Sequence, residues 1–360
     1  MDTTSLGDLF DPVQLGRLQL RNRIVMAPLT RSRASANGVP TPMMADYYGQ
    51  RASAGLIIAE GTNIAAQARG YAYTPGLYEL AQIFGWQHVT HAVHHRGGHV
   101  FVQLWHVGRL SHPSLQPDTA LPVAPSAIRA RAQVFTGTGF QPCVMPRALG
   151  RDEIIRIVDQ YTFAARNALA AGFDGVELHA ANGYLIEQFL RESSNQRTDD
   201  YGGTLAHRVR FLLEVIESLI GVCGAQRVGV RLSPLNTVND STPDRDPYAA
   251  CAYLVEQLNE LKVGYIHMIE GVTPGQRETP AGFSFKNLRS LCRCTYIGNN
   301  GYDRQLVLQA RQHRLLDLVS FGRLYISNPD LVERLRTDAV LTEPDPKTFF
   351  SGGARGYTDY

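Results

Sequence analysis

His179, Asn182 and Tyr184 place an imidazole, a carboxamide and a phenol within one short stretch of chain. Other groups able to do chemistry lie far from them in sequence. They are Thr30, Gln103, the pair Trp105-His106, and two cations, Arg231 and Arg323. Arg231 sits inside the apolar run Val228–Leu232. A buried guanidinium is costly without a partner, so a ligand or a carboxylate must meet it. Glu60 and Glu177, each near the end of another apolar run, are the carboxylates that could do so. Two glycine-bearing turns, Gly298-Asn299-Asn300-Gly301 and Gly322-Arg323, suit an anion. Backbone N–H groups in such turns point at a phosphate, and an arginine adds a bidentate contact. The set is polar, aromatic and sparing in carboxylates. It can clamp a flat, polar heterocycle and a carbonyl substrate, and a phosphate-bearing flavin fits it better than a bare sugar.

These residues need a scaffold that gathers them at one end. Eight short apolar, β-rich runs recur along the chain: Ile24–Ala27, Leu56–Glu60, Val100–Leu104, Gly175–His179, Val228–Leu232, Tyr265–Ile269, Thr295–Gly298 and Leu318–Phe321. Apolar residues on both faces mark parallel strands covered by helices. Helical patterns fall between them, over Thr41–Ala54, Arg151–Ala171, Thr204–Gly221, Tyr248–Leu261, Asp303–His313 and Pro329–Arg336. Thr41-Pro42 reads as an N-cap followed by proline at the first helical position. Strands alternating with helices predict an α/β fold, a single (β/α)8 barrel formed by residues 1–360 as one domain. A doubly wound sheet is the competing architecture, but no strand runs into a GxGxxG turn. In a barrel the chemistry lies at the carboxyl ends of the strands, where the residues named above fall. The stretch Gly108–Ala148 breaks the rhythm, being rich in Pro and Gly. A loop that long is usually functional, and a small hairpin lid around Val134–Phe140 is expected over the mouth.

Composition narrows the class. Lys+Arg 35 against Asp+Glu 33 leaves a formal charge of +2, with no footprint for nucleic acid. The start, MDTTSLGDLFDPVQLG, lacks the basic and apolar regions of a secretory signal, and no run is long enough to span a membrane. The five cysteines are scattered and odd in number, so a reducing cytoplasm is the expected location and Cys292 and Cys294 read as packed thiols. His88, His91 and His95 share a helical face, but they lie on an outer helix without a carboxylate motif, so no metal site is expected.

Seven ordered blocks carry a resemblance. They are NRIVMAPLTRSRA (Asn22–Ala34), QRASAGLIIAEGT (Gln50–Thr62), VQLWHVGR (Val102–Arg109), FDGVELHAANGYLIEQFL (Phe173–Leu190), SSNQRTDDYGG (Ser193–Gly203), GVRLSP (Gly229–Pro234) and SFGRLYISNPDL (Ser320–Leu331). With the end GGARGYTDY, the chain from Leu9 to Tyr360 resembles the old yellow enzyme family of FMN-dependent ene-reductases. The resemblance implies that Pro28, Leu29 and Thr30 line the flavin ring. It implies that Gly61 leaves room for the pyrimidine edge, that Gln103 bonds that edge, and that Arg231 sits where reduced flavin gathers negative charge. Gly301, Gly322 and Arg323 would hold the phosphate. His179 and Asn182 would donate to one substrate oxygen, so that the β-carbon of an enone, enal or nitroalkene accepts hydride from flavin N5. Tyr184 would then protonate the α-carbon. Tyr71 and Trp105 would line the mouth, and Tyr357 would close over it. NADPH or NADH would be the electron donor, and the protein a monomer or homodimer. Asn182 stands where other members carry a second histidine. Asn300 stands where some carry glycine, and asparagine suits a positive φ next best.

Each residue also has a plainer reading. In it Thr30 caps a loop, the glycines only permit tight turns, and Tyr71, Trp105 and Tyr357 are packing aromatics. A barrel glycoside hydrolase using Glu60 and Glu177 is the main alternative function, although Arg231, Gln103 and the phosphate turn would then lack a purpose. A flavin dehydrogenase with an iron–sulfur domain would need a four-cysteine cluster run that is absent from the sequence. A passive flavin-binding protein would not need the proton donor in His-x-x-Asn-x-Tyr.

Overall fold

The computed structural model describes residues 9–360 except Pro274, so the first eight residues of the acidic start lie outside the described residues. Eight parallel strands close on themselves. They are β1 (Ile24–Met26), β2 (Leu56–Asn63), β3 (Val100–Trp105), β4 (Gly175–Ala180), β5 (Val228–Leu232), β6 (Tyr265–Ile269), β7 (Thr295–Asn299) and β8 (Leu318–Phe321). All eight expected strands are present, and the barrel closes through β8 on β1 and β3 on β4.

The register decides which side chains meet inside. β4 and β5 pair His179 with Arg231, and β5 and β6 pair Arg231 with His267. β3 and β4 set Gln103 beside Glu177. Two aromatic rings, Phe101 and Tyr265, pack with Val25, Leu56, Ile58, Ile297 and Leu318 inside the barrel. Gly229 makes room for one: a Cβ there would lie 2.0 Å from the Tyr265 ring. Glu177 is sealed in this interior. It accepts from Gln103 Nε2 at 2.8 Å and lies 2.9 Å from His267 Nδ1, while His267 Nε2 lies 2.7 Å from Ser320 Oγ. Such buried polar groups are tolerated because each finds a partner.

The outer helices follow the sequence pattern. Arg151–Ala170 and Leu205–Cys223 pack their apolar stripes on the barrel, and Thr204 accepts from the His207 N–H as an N-cap. Asp246 and Asp303 cap Pro247–Glu260 and Arg304–Gln312 in the same way. Thr41 differs from expectation. It precedes the helix Pro42–Gln50, yet its hydroxyl donates to the Arg33 carbonyl rather than capping. A hairpin, Val13–Leu15 with Leu18–Leu20, was not anticipated. Its Leu15 and Leu20 plug the amino end of the barrel against Val25, Leu56, Ile58 and Phe101. Its strands are too short to show a period.

The segment between β3 and the Arg151 helix contains the expected lid, an antiparallel hairpin of Gln133–Phe135 and Phe140–Pro142. At the other side of the mouth, the C-terminal residues are tied down by arginines. Arg31 Nε donates to Phe349 O at 2.8 Å and Arg31 Nη2 to Gly356 O at 2.7 Å, while Arg51 Nη2 donates to Tyr357 O at 3.4 Å. Cys292 and Cys294 lie just before β7 with sulfurs 3.5 Å apart, as free thiols. No helix among the described residues is long and apolar enough to cross a membrane.

Candidate active site

A cavity of about 720 Å³ opens at the carboxyl end of the strands. Pro28, Leu29, Thr30, Tyr71, Gln103, His179, Asn182, Tyr184, Arg231 and Arg323 all line it. The structure thus gathers residues spread over nearly the whole chain, as a barrel mouth should.

Arg231 reaches the cavity from inside the barrel wall. It is buried, and its Nη2 donates to Asn299 Oδ1 at 3.0 Å and its Nη1 to Pro28 O at 3.4 Å. Its Nε has no hydrogen-bond partner among the described residues. Neither carboxylate suggested by sequence pairs with it. Glu177 is engaged by Gln103 and His267. Glu60 accepts from the Arg31 N–H at 3.3 Å and from the Tyr48 hydroxyl at 3.2 Å. A buried cation that holds only neutral oxygens leaves an unmet demand for an acceptor-rich ligand.

His179 stands next to it on the barrel wall. Burial, with the charge of Arg231 and the nearby His267, holds its pKa well below the usual imidazole range. It is therefore a neutral ring, and its Nδ1 finds no hydrogen-bond partner among the described residues. Asn182 follows at φ 59°, a left-handed conformation that asparagine tolerates. The loop is anchored: Asn182 N donates to Ser233 Oγ at 2.9 Å, and Ser233 Oγ donates to Glu187 Oε1 at 2.9 Å. Glu187 is in turn paired with the buried Arg191.

Tyr184 completes the triplet. Its hydroxyl lies 3.5 Å from that of Tyr71. Burial raises its pKa, while Tyr71 and Asn239 pull the other way. It keeps its proton at neutral pH, yet has neighbours able to stabilise the anion left after losing it. Trp105 is the platform beneath these groups. It is fully buried, stacks on Tyr71 with centroids 5.7 Å apart, and meets Tyr184 edge-on at 4.8 Å.

Three expected roles find a different placement. Trp105 supports the mouth from below and is not among the residues lining it. A Cβ on Gly61 would lie 2.6 Å from Trp105 Cε3, so the space that glycine leaves is taken by the indole. Tyr357 does not close over the mouth. It is fully buried, stacked on Tyr47 at 4.0 Å and flanked by Arg31 and Arg33. Phe349, Phe350 and Ser351 line the cavity from that segment instead. Asn239 and Thr273 also line the cavity from long loops whose lack of periodicity leaves no mark in the sequence, and the hairpin's Phe135 and Phe140 add wall residues that the sequence does not single out.

The turns after β7 and β8 converge. Gly301 has φ 66°, and a Cβ on it would sit 2.8 Å from Gly275 O. A Cβ on Gly275 would lie 3.5 Å from Arg323 Nη2. Asn300 takes the positive φ expected of it, 94°, and its amide donates to the carbonyls of Glu270, Val272 and Gln276. Gly322, in contrast, has a negative φ of -98°, and a Cβ there would come within 3.2 Å of Leu29.

Residues 8–341 match the NADH:flavin oxidoreductase / NADH oxidase family. The chain belongs to that family. It is 41% identical over 361 residues to a probable flavin mononucleotide-dependent alkene reductase of Leishmania infantum, covering 99% of this chain and 98% of that one. Among solved structures, morphinone reductase in complex with tetrahydroNAD superposes with a TM-score of 0.93 at 47% identity, covering 98% of this chain and 96% of that one. The old yellow enzyme homologue from Zymomonas mobilis gives a TM-score of 0.94 at 42% identity, covering 98% and 99%.

As a flavin oxidoreductase of this family, the chain must hold FMN, and the residues present fit that demand. The unpartnered Nε of Arg231 offers a charged donor inside the cavity. Gln103 donates its Nε2 to Glu177, which leaves its oxygen as the acceptor for an N–H of the ring. Gly275, Gly301 and Arg323 form a cradle that side chains would fill.

Proposed function

We propose that this chain reduces carbon–carbon double bonds activated by a carbonyl or nitro group, with NADPH or NADH as the electron donor. The observation that carries the reading is the shared cavity. A buried cation without a carboxylate partner, two neutral donors and a protonated tyrosine line one wall of it. The similarity to an alkene reductase and to a reductase captured with a nicotinamide analogue supports the same reading.

When bound, FMN would supply the two-electron redox chemistry that links the nicotinamide donor to the alkene. Pro28, Leu29 and Thr30 would wall the ring, Gln103 and Arg231 would meet its polar edge, and Gly301, Gly322 and Arg323 would hold the phosphate. His179 and Asn182 both donate to the substrate oxygen. Two fixed donors in a dry pocket polarise the double bond and make the β-carbon electrophilic. Tyr184 gives its hydroxyl proton to the α-carbon, and Tyr71 and Asn239 stabilise the phenolate that results. Phe135 and Phe140 of the hairpin and Phe349 and Phe350 of the C-terminal segment give the mouth an apolar wall.

Glycoside hydrolysis has little support, because Glu60 and Glu177 are both fully buried and neither lines the cavity. We also read the chain as one FMN-binding domain acting on small molecules in the cytoplasm, as a monomer or homodimer.

The test is a visible absorption spectrum of the purified protein, without oxygen, before and after NADPH and then cyclohexenone. A flavin band that bleaches with NADPH and returns with cyclohexenone is expected. A colourless protein that fails to take up added FMN would refute the reading.

A further inference from the structure

We infer that Asn236 is a positioning residue that determines which atom of Asn182 faces the cavity. The inference rests on the proposed role of Asn182 as a donor to the substrate oxygen. The two ends of a carboxamide are nearly the same shape, so only the surrounding network can decide which is which. Here the network is anchored by backbone groups. Asn236 is fully buried, on the loop after β5. Its Oδ1 faces two backbone N–H groups, those of Val238 and Thr273, each at 3.4 Å. A backbone N–H can only donate, so the oxygen must lie on that side. The Nδ2 of Asn236 is thereby turned toward Asn182.

That orientation propagates. Asn236 Nδ2 donates to Asn182 Oδ1 at 2.6 Å. The oxygen of Asn182 is occupied, and its Nδ2 is left as the donor offered to whatever the cavity holds. The backbone of Asn182 is pinned by the same loop, its N–H donating to Ser233 Oγ and its carbonyl accepting from Asn239 Nδ2 at 2.9 Å. Three residues spaced by three along one loop, Ser233, Asn236 and Asn239, therefore hold one asparagine at its N–H, its side chain and its carbonyl. Thr273, from the loop after β6, lines the cavity itself and fixes the first amide of the relay.

The relay makes a prediction that simple packing does not. Asn236→Asp keeps the size but removes the donor. The carboxylate confronts Asn182 Oδ1 and drives that amide to turn over, which points its oxygen at the ligand oxygen. Asn236→Ala merely releases the amide. The aspartate variant should therefore be the worse of the two.

The experiment is titration of the FMN-loaded protein with phenol, followed by the change in flavin absorbance. FMN content and the unfolding midpoint are read alongside. Phenol dissociation constants should rise about tenfold for Asn236→Ala, as for loss of one hydrogen bond to a charged group, and further for Asn236→Asp. Both increases should vanish in an Asn182→Ala background. Aspartate and alanine variants that bind phenol like the parent would overturn the inference, as would losses that persist without the Asn182 amide. If the aspartate chain does not fold, Asn236→Ser serves: its hydroxyl can donate, so binding should lie between parent and alanine, and binding weaker than alanine would overturn the inference. A parent protein that holds FMN yet ignores phenol would instead refute the oxygen-site reading, and the positioning role with it.

Discussion

Gly61→Ala separates two readings of the same glycine. If the missing side chain makes room for the flavin edge, alanine should deplete FMN. The structure gives the space to Trp105. An added methyl would lie 2.6 Å from Cε3 and 2.8 Å from Cδ2 of the indole, about 1 Å inside ordinary contact. The ring has little room to yield. It is fully buried, stacked against Tyr71 at 5.7 Å, near His179 at 6.2 Å and edge-on to Tyr184 at 4.8 Å. Overpacking of this kind costs about 1–3 kcal/mol. At roughly 2.1 cal/mol/K of unfolding entropy per residue, a chain of this length loses about 1–4 °C of melting temperature. The displaced indole carries Tyr71 and Tyr184 with it, so phenol binding and alkene reduction should fall while the flavin stays bound. The assay is a melting curve with FMN occupancy from the absorbance ratio, followed by phenol titration. An apoprotein with an unchanged melting temperature would refute the argument.

Three further expectations can be checked directly. Tyr184→Phe should leave flavin reduction by NADPH intact and slow reoxidation by cyclohexenone, about 10²-fold or more if the proton is delivered there; equal rates in stopped-flow would remove Tyr184 as the acid. Arg323→Ala should purify with depleted flavin that returns at high added FMN, whereas full occupancy at the parent's affinity would count against a phosphate contact. Burial pushes the Glu60 carboxyl up from 4.5 to about 7. A folded-state pKa above the unfolded one means that the stability it confers is full below pH 4.5 and is lost as pH rises through 7, by up to about 3 kcal/mol. Glu60→Gln should flatten urea-measured stability over that window, and an unchanged slope would show that burial does not raise the Glu60 carboxyl above its unfolded value.

Much of this fold could be read from sequence because each barrel strand is a dense apolar run between helical patterns. The strand limits came out within a few residues; β2 is the exception, running on to Asn63 where the apolar run alone predicts an end at Glu60. The site was legible where chemistry is local, as in His179, Asn182 and Tyr184. It was less so where a role depends on what lies across the barrel. Nothing near Gly61 in sequence announces that Trp105 fills its space. Tyr357 could be recognised as an aromatic near the end, but its depth is set by Tyr47 and by two arginines from the loop after β1. Arg231 needed a partner, and sequence could offer only carboxylates; the structure spends both of those elsewhere. Thr41 failed as a cap because the Arg33 carbonyl competes for its hydroxyl.

Inside the barrel, Ser320, His267 and Glu177 stand in the order and at the spacing of a hydrolase's nucleophile, base and orienting acid, at 2.7 and 2.9 Å. A geometric search for such triads would return this one. It is nevertheless inert as a nucleophile, because Ser320 is almost wholly enclosed and His267 and Glu177 are entirely so. Enclosed in this way, the hydroxyl is out of reach of an acyl group. Atoms in the right relative positions make a catalyst only where a substrate can be admitted, so solvent access belongs in the definition of a catalytic template alongside distance and angle.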